Sequence, residues 1–196
     1  MEVINLECPH CGAAVSTGDK ICEYCKKPVI ITSFSALSAM PLPEINKCAN
    51  SYRKTLAAHP DNKDINISIA FCYLRLKLYD KAIPAFEKGM ENNFDNADVF
   101  FYAAVALLKG QKAFVTPRAD INKCLEYIDA AMMIEPKGIY QYFLAYIKYD
   151  YFKRKYLNIS PDWRETLTSA YNDYGVTDAD IDGLYALLGV ARPDCL

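Results

Sequence analysis

Four thiols constrain the front of this chain: Cys8-Pro9-His10-Cys11 and Cys22-Glu23-Tyr24-Cys25 are two Cys-x-x-Cys pairs with ten residues between them. Each pair can wrap its backbone around one side of an ion, and two such knuckles facing each other supply the four soft ligands of a closed tetrahedral site. The reading is a structural Zn²⁺ held by Cys8, Cys11, Cys22 and Cys25. Gly12 follows the first pair, and its tolerance of positive φ suits the turn that aims backbone N–H groups at sulfur. Ala13 to Ser16, the turn Thr17 to Lys20 and Ile21 read as a short hairpin into the second pair, with Val29 to Thr32 as a strand leaving it. So few apolar side chains cannot hold a fold by burial alone, so the free energy of metal binding is folding free energy.

Competing chemistry is weighed on the same residues. Cys-Pro-His-Cys is also the dithiol of DsbA-like oxidoreductases, but there it opens a helix in a βαβ context with no second pair nearby. Rubredoxin-like iron sites share the four thiols and usually have a longer intervening loop. His10 lies between ligands, and four thiolates already fill the tetrahedron. The remaining cysteines are single: Cys48, Cys72 and Cys124 fall in helical patterns as small buried hydrophobes, and Cys195 lies in the tail. Nothing in Met1 to Gly12 resembles a secretory signal, so the expected location is cytoplasmic, where paired cysteines are metal ligands more often than bridges. A net charge of −2 gives no global attraction to nucleic acid or an anionic membrane, and no apolar run approaches the roughly 20 residues that span a bilayer.

Leu6 to Val29, with Cys-Pro-x-Cys-Gly and Cys-x-Tyr-Cys, resembles the short zinc ribbons found at the N-termini of many prokaryotic proteins. That resemblance implies a structural metal and a small β module, and allows nucleic-acid or protein contact. Lys20, Lys26 and Lys27 suit phosphate, but Glu7, Asp19 and Glu23 offset them. Ser33 to Leu42 reads as a junction, since Pro41 and Pro43 interrupt any continuous helix.

From Pro43 onward the pattern repeats. Ala70, Tyr73, Ala82, Phe86 and Gly89 recur at a shift of 34: Ala70 maps to Ala104, and Ala82 and Phe86 map back to Cys48 and Tyr52. The second helix returns at Cys124, Ile128, Ala131 and Pro136 after a shift of 42, so about eight residues are inserted near Lys109 to Ala119. This resembles the tetratricopeptide repeat, best over Asp64 to Asn96, with Tyr79-Asp80-Lys81-Ala82 as its turn. Phe94 stands where that family has proline, and Tyr146 where a small residue is expected. A helix is predicted over Tyr140 to Tyr156, another with Pro161 at its first position, and a last one from Thr177 to about Leu188 that caps the stack before Gly189.

The expected fold class is therefore mainly α: an antiparallel helix-pair, tetratricopeptide-like solenoid over residues 43–196, a zinc ribbon over 1–32 and a junction over 33–42. In the family the first helix of each pair lines the concave face, which the resemblance assigns to Ile67, Phe71, Leu74, Phe101, Val105, Leu108, Tyr140, Phe143 and Ile147. Such an apolar face either receives a segment of another protein or is covered from within by Val29 to Leu42. The insert, with Phe114 at its centre, is a candidate second contact loop. Two histidines, His10 and His59, make no acid–base pair, and no phosphate loop or nucleophile elbow is present. The functional expectation is a non-catalytic adaptor that binds a protein partner. The alternative is a nucleic-acid-associated factor working through the ribbon lysines.

Overall fold

Helix pairs dominate the computed structural model, which describes residues 3–91 and 93–196, with Ser38 described by its backbone alone. Met1 and Glu2, which begin the segment read for an export signal, and Asn92, within the best-matching repeat, lie outside the described residues. The architecture is mainly α, built of antiparallel helix pairs with a two-stranded β element at the front. The chain divides into two units, Met1–Phe94 and Asp95–Leu196, so the junction at 33–42 lies inside the first unit.

In the first unit, β1 (Asn5–Glu7) pairs antiparallel with β2 (Ala14–Ser16), Leu6 opposite Val15. The hairpin thus closes across the first knuckle instead of joining Ala13–Ser16 to Ile21, and Ile21 makes an isolated bridge to Pro28. Val29 to Thr32 is not a strand: it bends at Val29 and Ile30, and helix side chains meet the Val29 carbonyl and both Ile31 backbone groups. After a single turn, α1 (Ser35–Ser38), α2 (Leu42–Ala58) opens with Pro41 as its N-cap and Pro43 in its first turn, where a missing N–H costs nothing. His59 stands at its C-cap, at the negative end of the helix dipole.

Asn62 caps α3 (Lys63–Arg75) by accepting the Ile65 N–H at 3.1 Å, and a three-residue turn leads into α4 (Tyr79–Met90). The two helices approach closely because Gly89 has no side chain: a Cβ there would lie 2.6 Å from Ile67 Cγ1. Phe71 sits at the centre of this unit, edge-on to Phe86 at 5.5 Å and to Phe34 at 6.3 Å. Cys48 and Cys72 are fully buried, as the helical pattern implies.

In the second unit, α5 (Ala97–Leu107) pairs with α6 (Arg118–Ile134), joined by the insert, which contains one 3-10 turn at Ala113–Val115. Phe101 packs on Tyr140 and Phe143, at 4.6 and 5.7 Å, from α7 (Gly138–Ile147). Beyond Ile147 the expected long helix changes pitch to a π-turn over Lys148–Lys153 and stops near Tyr156, whose φ is +57°. That turn captures the insert: the Phe114 N–H donates to Asp150 Oδ2 at 2.8 Å, and Arg154 and Lys155 lie over the Phe114 ring at 4.4 and 5.1 Å. Phe114 is therefore half-buried beneath two cations and is not a free contact side chain. Tyr146 is large because it spans a gap, stacking on Phe143, meeting Tyr185 edge-on and accepting the Ala113 N–H at 3.4 Å.

Asp162, not Ser160, caps α8 (Trp163–Asn172), in a reciprocal capping box with Glu165, so Pro161 lies before the helix. Buried Lys148 holds this start in place by donating to Pro161 O at 2.9 Å and to Thr166 Oγ1 at 3.0 Å. The last helix, α9 (Asp178–Leu188), begins at Thr177 and ends on left-handed Gly189, as its sequence predicts. Gly138, at the start of α7, is hemmed in by backbone: a Cβ would lie 2.5 Å from Val176 N and 2.8 Å from Tyr174 O. Gly138→Ala should therefore cost about 1–3 kcal/mol of stability through overpacking, read as a lowered urea midpoint.

Candidate metal centre

Two turns of the same design build the site. Each places its first cysteine so that the carbonyl accepts an N–H four residues on, Gly12 N to Cys8 O and Lys26 N to Cys22 O, both 2.9 Å. Each cysteine N–H then donates to the carbonyl five residues on, Cys8 to Ala13 at 2.7 Å and Cys22 to Lys27 at 2.9 Å. The closing residue must be left-handed, with φ +86° at Gly12 and +59° at Lys26. Glycine is at home there and lysine is strained by about 1 kcal/mol. Lys26→Gly should consequently raise the thermal midpoint of metal-loaded protein slightly, with no change in metal stoichiometry.

The turns face each other so that their thiols interleave: Cys8 Sγ lies 3.7 Å from Cys25 Sγ, and Cys11 Sγ lies 3.7 Å from Cys22 Sγ. All four sulfurs fall within 4.8 Å of one another. Tetrahedral thiolates about 2.3 Å from a common ion stand ~3.8 Å apart, so this spacing fits a four-sulfur ion site. Cys8 and Cys22 are buried, Cys25 is half-exposed and Cys11 is exposed. Crowding also divides the acidities. The Cys22 thiol falls to about 7, chiefly because the Cys25 N–H and then the Tyr24 N–H favour its thiolate. Cys25 feels the Lys27 N–H in the same sense, but desolvation and its three thiol neighbours push it up to about 12. Four negative sulfurs cannot share this volume without a cation, which is the chemistry a divalent soft-metal site supplies.

One face of α2 grips the first knuckle. Ser51 Oγ donates to Glu7 O at 3.1 Å, the Cys48 thiol points to Pro9 O at 3.7 Å, and Lys47 Nζ reaches His10 O. One turn back, Glu44 takes His10 Nδ1 at 3.0 Å and the Lys27 ammonium. These two partners, Lys27 first, hold the Glu44 carboxyl below its usual range. His10 is thus a docking residue lying outside the four-sulfur cluster, and its buried Nε2 has no partner among the described residues. Burial raises the Cys48 thiol to about 11, so it remains a neutral donor. Sequence reasoning missed Glu44, Lys47 and Ser51 as metal-module contacts. Their spacing of three, four and seven along one helix face was the available signal.

The nine residues assigned to a concave face are all buried. Ile67 is 5% exposed, Phe101 3% and Val105 2%, and Phe71, Leu74, Leu108, Tyr140, Phe143 and Ile147 are at most 1% exposed. None offers its side chain to solvent. In the first unit the cover comes from the chain itself, with Val29, Ile31 and Leu37 buried and Phe34 against Phe71. The apolar side chains that do face solvent in the metal module are Val3, Ile21 and Tyr24, at 64, 56 and 75%.

Fold and site together define a class: a helix-pair protein whose front carries four cysteines close enough together to hold a metal ion, docked on α2. No helix among the described residues is long and apolar enough to cross a membrane. No family model and no curated protein matches the sequence. Among solved structures, one titled MamA MSR-1 C2 is similar, with 17% identity and a TM-score of 0.48 over 79% of this chain and 72% of that one.

Proposed function

We propose that this chain is a non-catalytic, cytoplasmic adaptor in which a structural zinc ion orders the N-terminal module and the helix pairs hold a partner protein. The observation that carries the reading is the coupling of the four-sulfur cluster to α2 through Glu44, Lys47, Cys48 and Ser51. A metal so placed fixes the position of a binding scaffold, and closed tetrathiolate sites leave no open position for substrate. Ile67, Phe71, Leu74 and, in the second unit, Phe101, Val105, Leu108, Tyr140, Phe143 and Ile147 shape the partner-facing helices from beneath. Zinc is favoured over iron by the short loop between the cysteine pairs.

Nucleic-acid binding is the competing reading, and exposed Tyr24 near Lys20 and Lys26 is the feature in its favour. Against it, Lys27 is engaged by Glu44. Heparin chromatography at two salt concentrations separates them. An adaptor passes unretained, and a partner identified by co-purification rebinds the pure protein with saturable stoichiometry in calorimetry. Retention that collapses with salt, together with anisotropy showing binding of a single-stranded oligonucleotide lost in Tyr24→Ala, overturns the adaptor reading.

A further inference from the structure

The segment after the second knuckle has the features of a bound peptide. Pro28 to Phe34 carries no charged side chain and lies outside any helix or strand, bending at Val29 and Ile30, with Val29 and Ile31 fully inside, Thr32 outside and Ile30 between. Helix side chains meet part of its backbone: Tyr52 Oη of α2 donates to Val29 O at 2.7 Å, and Ser68 Oγ of α3 meets both Ile31 N, at 3.0 Å, and Ile31 O, at 3.2 Å. Alternate side chains enter the apolar cleft between two helices, while hydroxyls on those helices read the main chain. That is how a helical surface can hold a peptide ligand, with main-chain bonds giving affinity and alternate side chains giving specificity. The segment's front end is fixed by the metal module, through the Ile21–Pro28 bridge and the Val29 N–H to Lys20 O at 3.3 Å.

Resting on the adaptor reading, we infer that the α2–α3 cleft is a peptide groove filled in cis by residues 28–34. Its partner is a protein with an uncharged segment carrying β-branched side chains at alternate positions. The partner binds by replacing the strap, and the metal module keeps the strap at high local concentration so that weak ligands are refused. Tyr52, Ser68 and Phe71 are the groove's recognition residues, two for the main chain and one for the aromatic end.

The test uses a fluorescein-labelled peptide of residues 27–35 and full-length, metal-loaded protein. Val29→Ser with Ile31→Ser weakens the strap and leaves every cysteine in place. Anisotropy should show the peptide binding this variant at least about tenfold more tightly than wild type, and Ser68→Ala added to it should reverse most of the gain. No binding to a double variant that keeps its far-ultraviolet helical signal overturns the inference, and so does a strap that exchanges between two copies to give a stable dimer by light scattering. Should the double variant lose helix, hydrogen exchange on wild type decides. The Ile31 amide must exchange faster than the α3 amides of residues 67–72, and exchange only through global unfolding overturns the inference. An adaptor that captures its partner elsewhere would fail these tests and still pass the calorimetric one.

Discussion

Cys8→Ser combined with Cys22→Ser should abolish metal binding and unfold the front of the protein. Wild type purified under reducing conditions is expected to carry one zinc per chain by mass spectrometry of the elements, and the double variant none. Both substituted residues are buried, and each anchors one knuckle through its backbone, so neither turn keeps two ligands. Metal-linked folding free energy in small structural zinc modules is on the order of 10 kcal/mol, far more than the few apolar residues of this module can supply. Urea unfolding should therefore lose its chelator-sensitive transition altogether. Iron in place of zinc would move the site to the rubredoxin type, and a metal-free wild type with reversible oxidation of Cys8 and Cys11 would replace the structural role with a redox one.

Phe71→Ala should give the largest effect of any single helix substitution in the first unit, about 3–5 kcal/mol by chemical denaturation. The side chain is wholly buried between Phe34 and Phe86, so truncation loses contacts with strap and helix pair together and leaves a cavity that rigid helices cannot close. Phe94→Ala is the control: at 68% exposed it should stay within about 0.5 kcal/mol of wild type. Equal effects at the two positions would mean that the aromatic cluster does not organise the unit.

What could be read in the sequence was whatever depends on short-range spacing. The sulfur cluster is such a case, since ligands three apart on a chain reversal can only converge. So is α9, where Thr177, Asp180 and Gly189 specify both ends locally. Helix pairing around Gly89 follows from a repeat that any one unit displays. The missed features depend on partners far along the chain. Val29 to Thr32 has the β-branched composition of a strand, but the Val29 carbonyl and the Ile31 backbone are answered by Tyr52 and Ser68, 23 and 37 residues away from Val29 and Ile31. Lys26 adopts a glycine-like turn because a hydrogen-bonded knuckle imposes it, and nothing in its identity says so. The π-turn at Lys148–Lys153 likewise answers to Asp150 catching Phe114 and to Lys148 reaching Pro161. A pattern of period 3.6 cannot display such long-range demands.

The contact between the knuckle and α2 is made of hydroxyl, thiol, ammonium and carboxylate groups meeting carbonyls and an imidazole. Each replaces a bond to water in the unfolded chain, so as a set they contribute direction more than strength. Adhesion comes instead from neighbouring Val29, Ile31 and Leu37, which have little angular preference. Aim and grip are thereby assigned to different side chains. A redesigned front module could be turned to a new angle by altering residues 44, 47 and 51 while its hold on the helices stayed as it is.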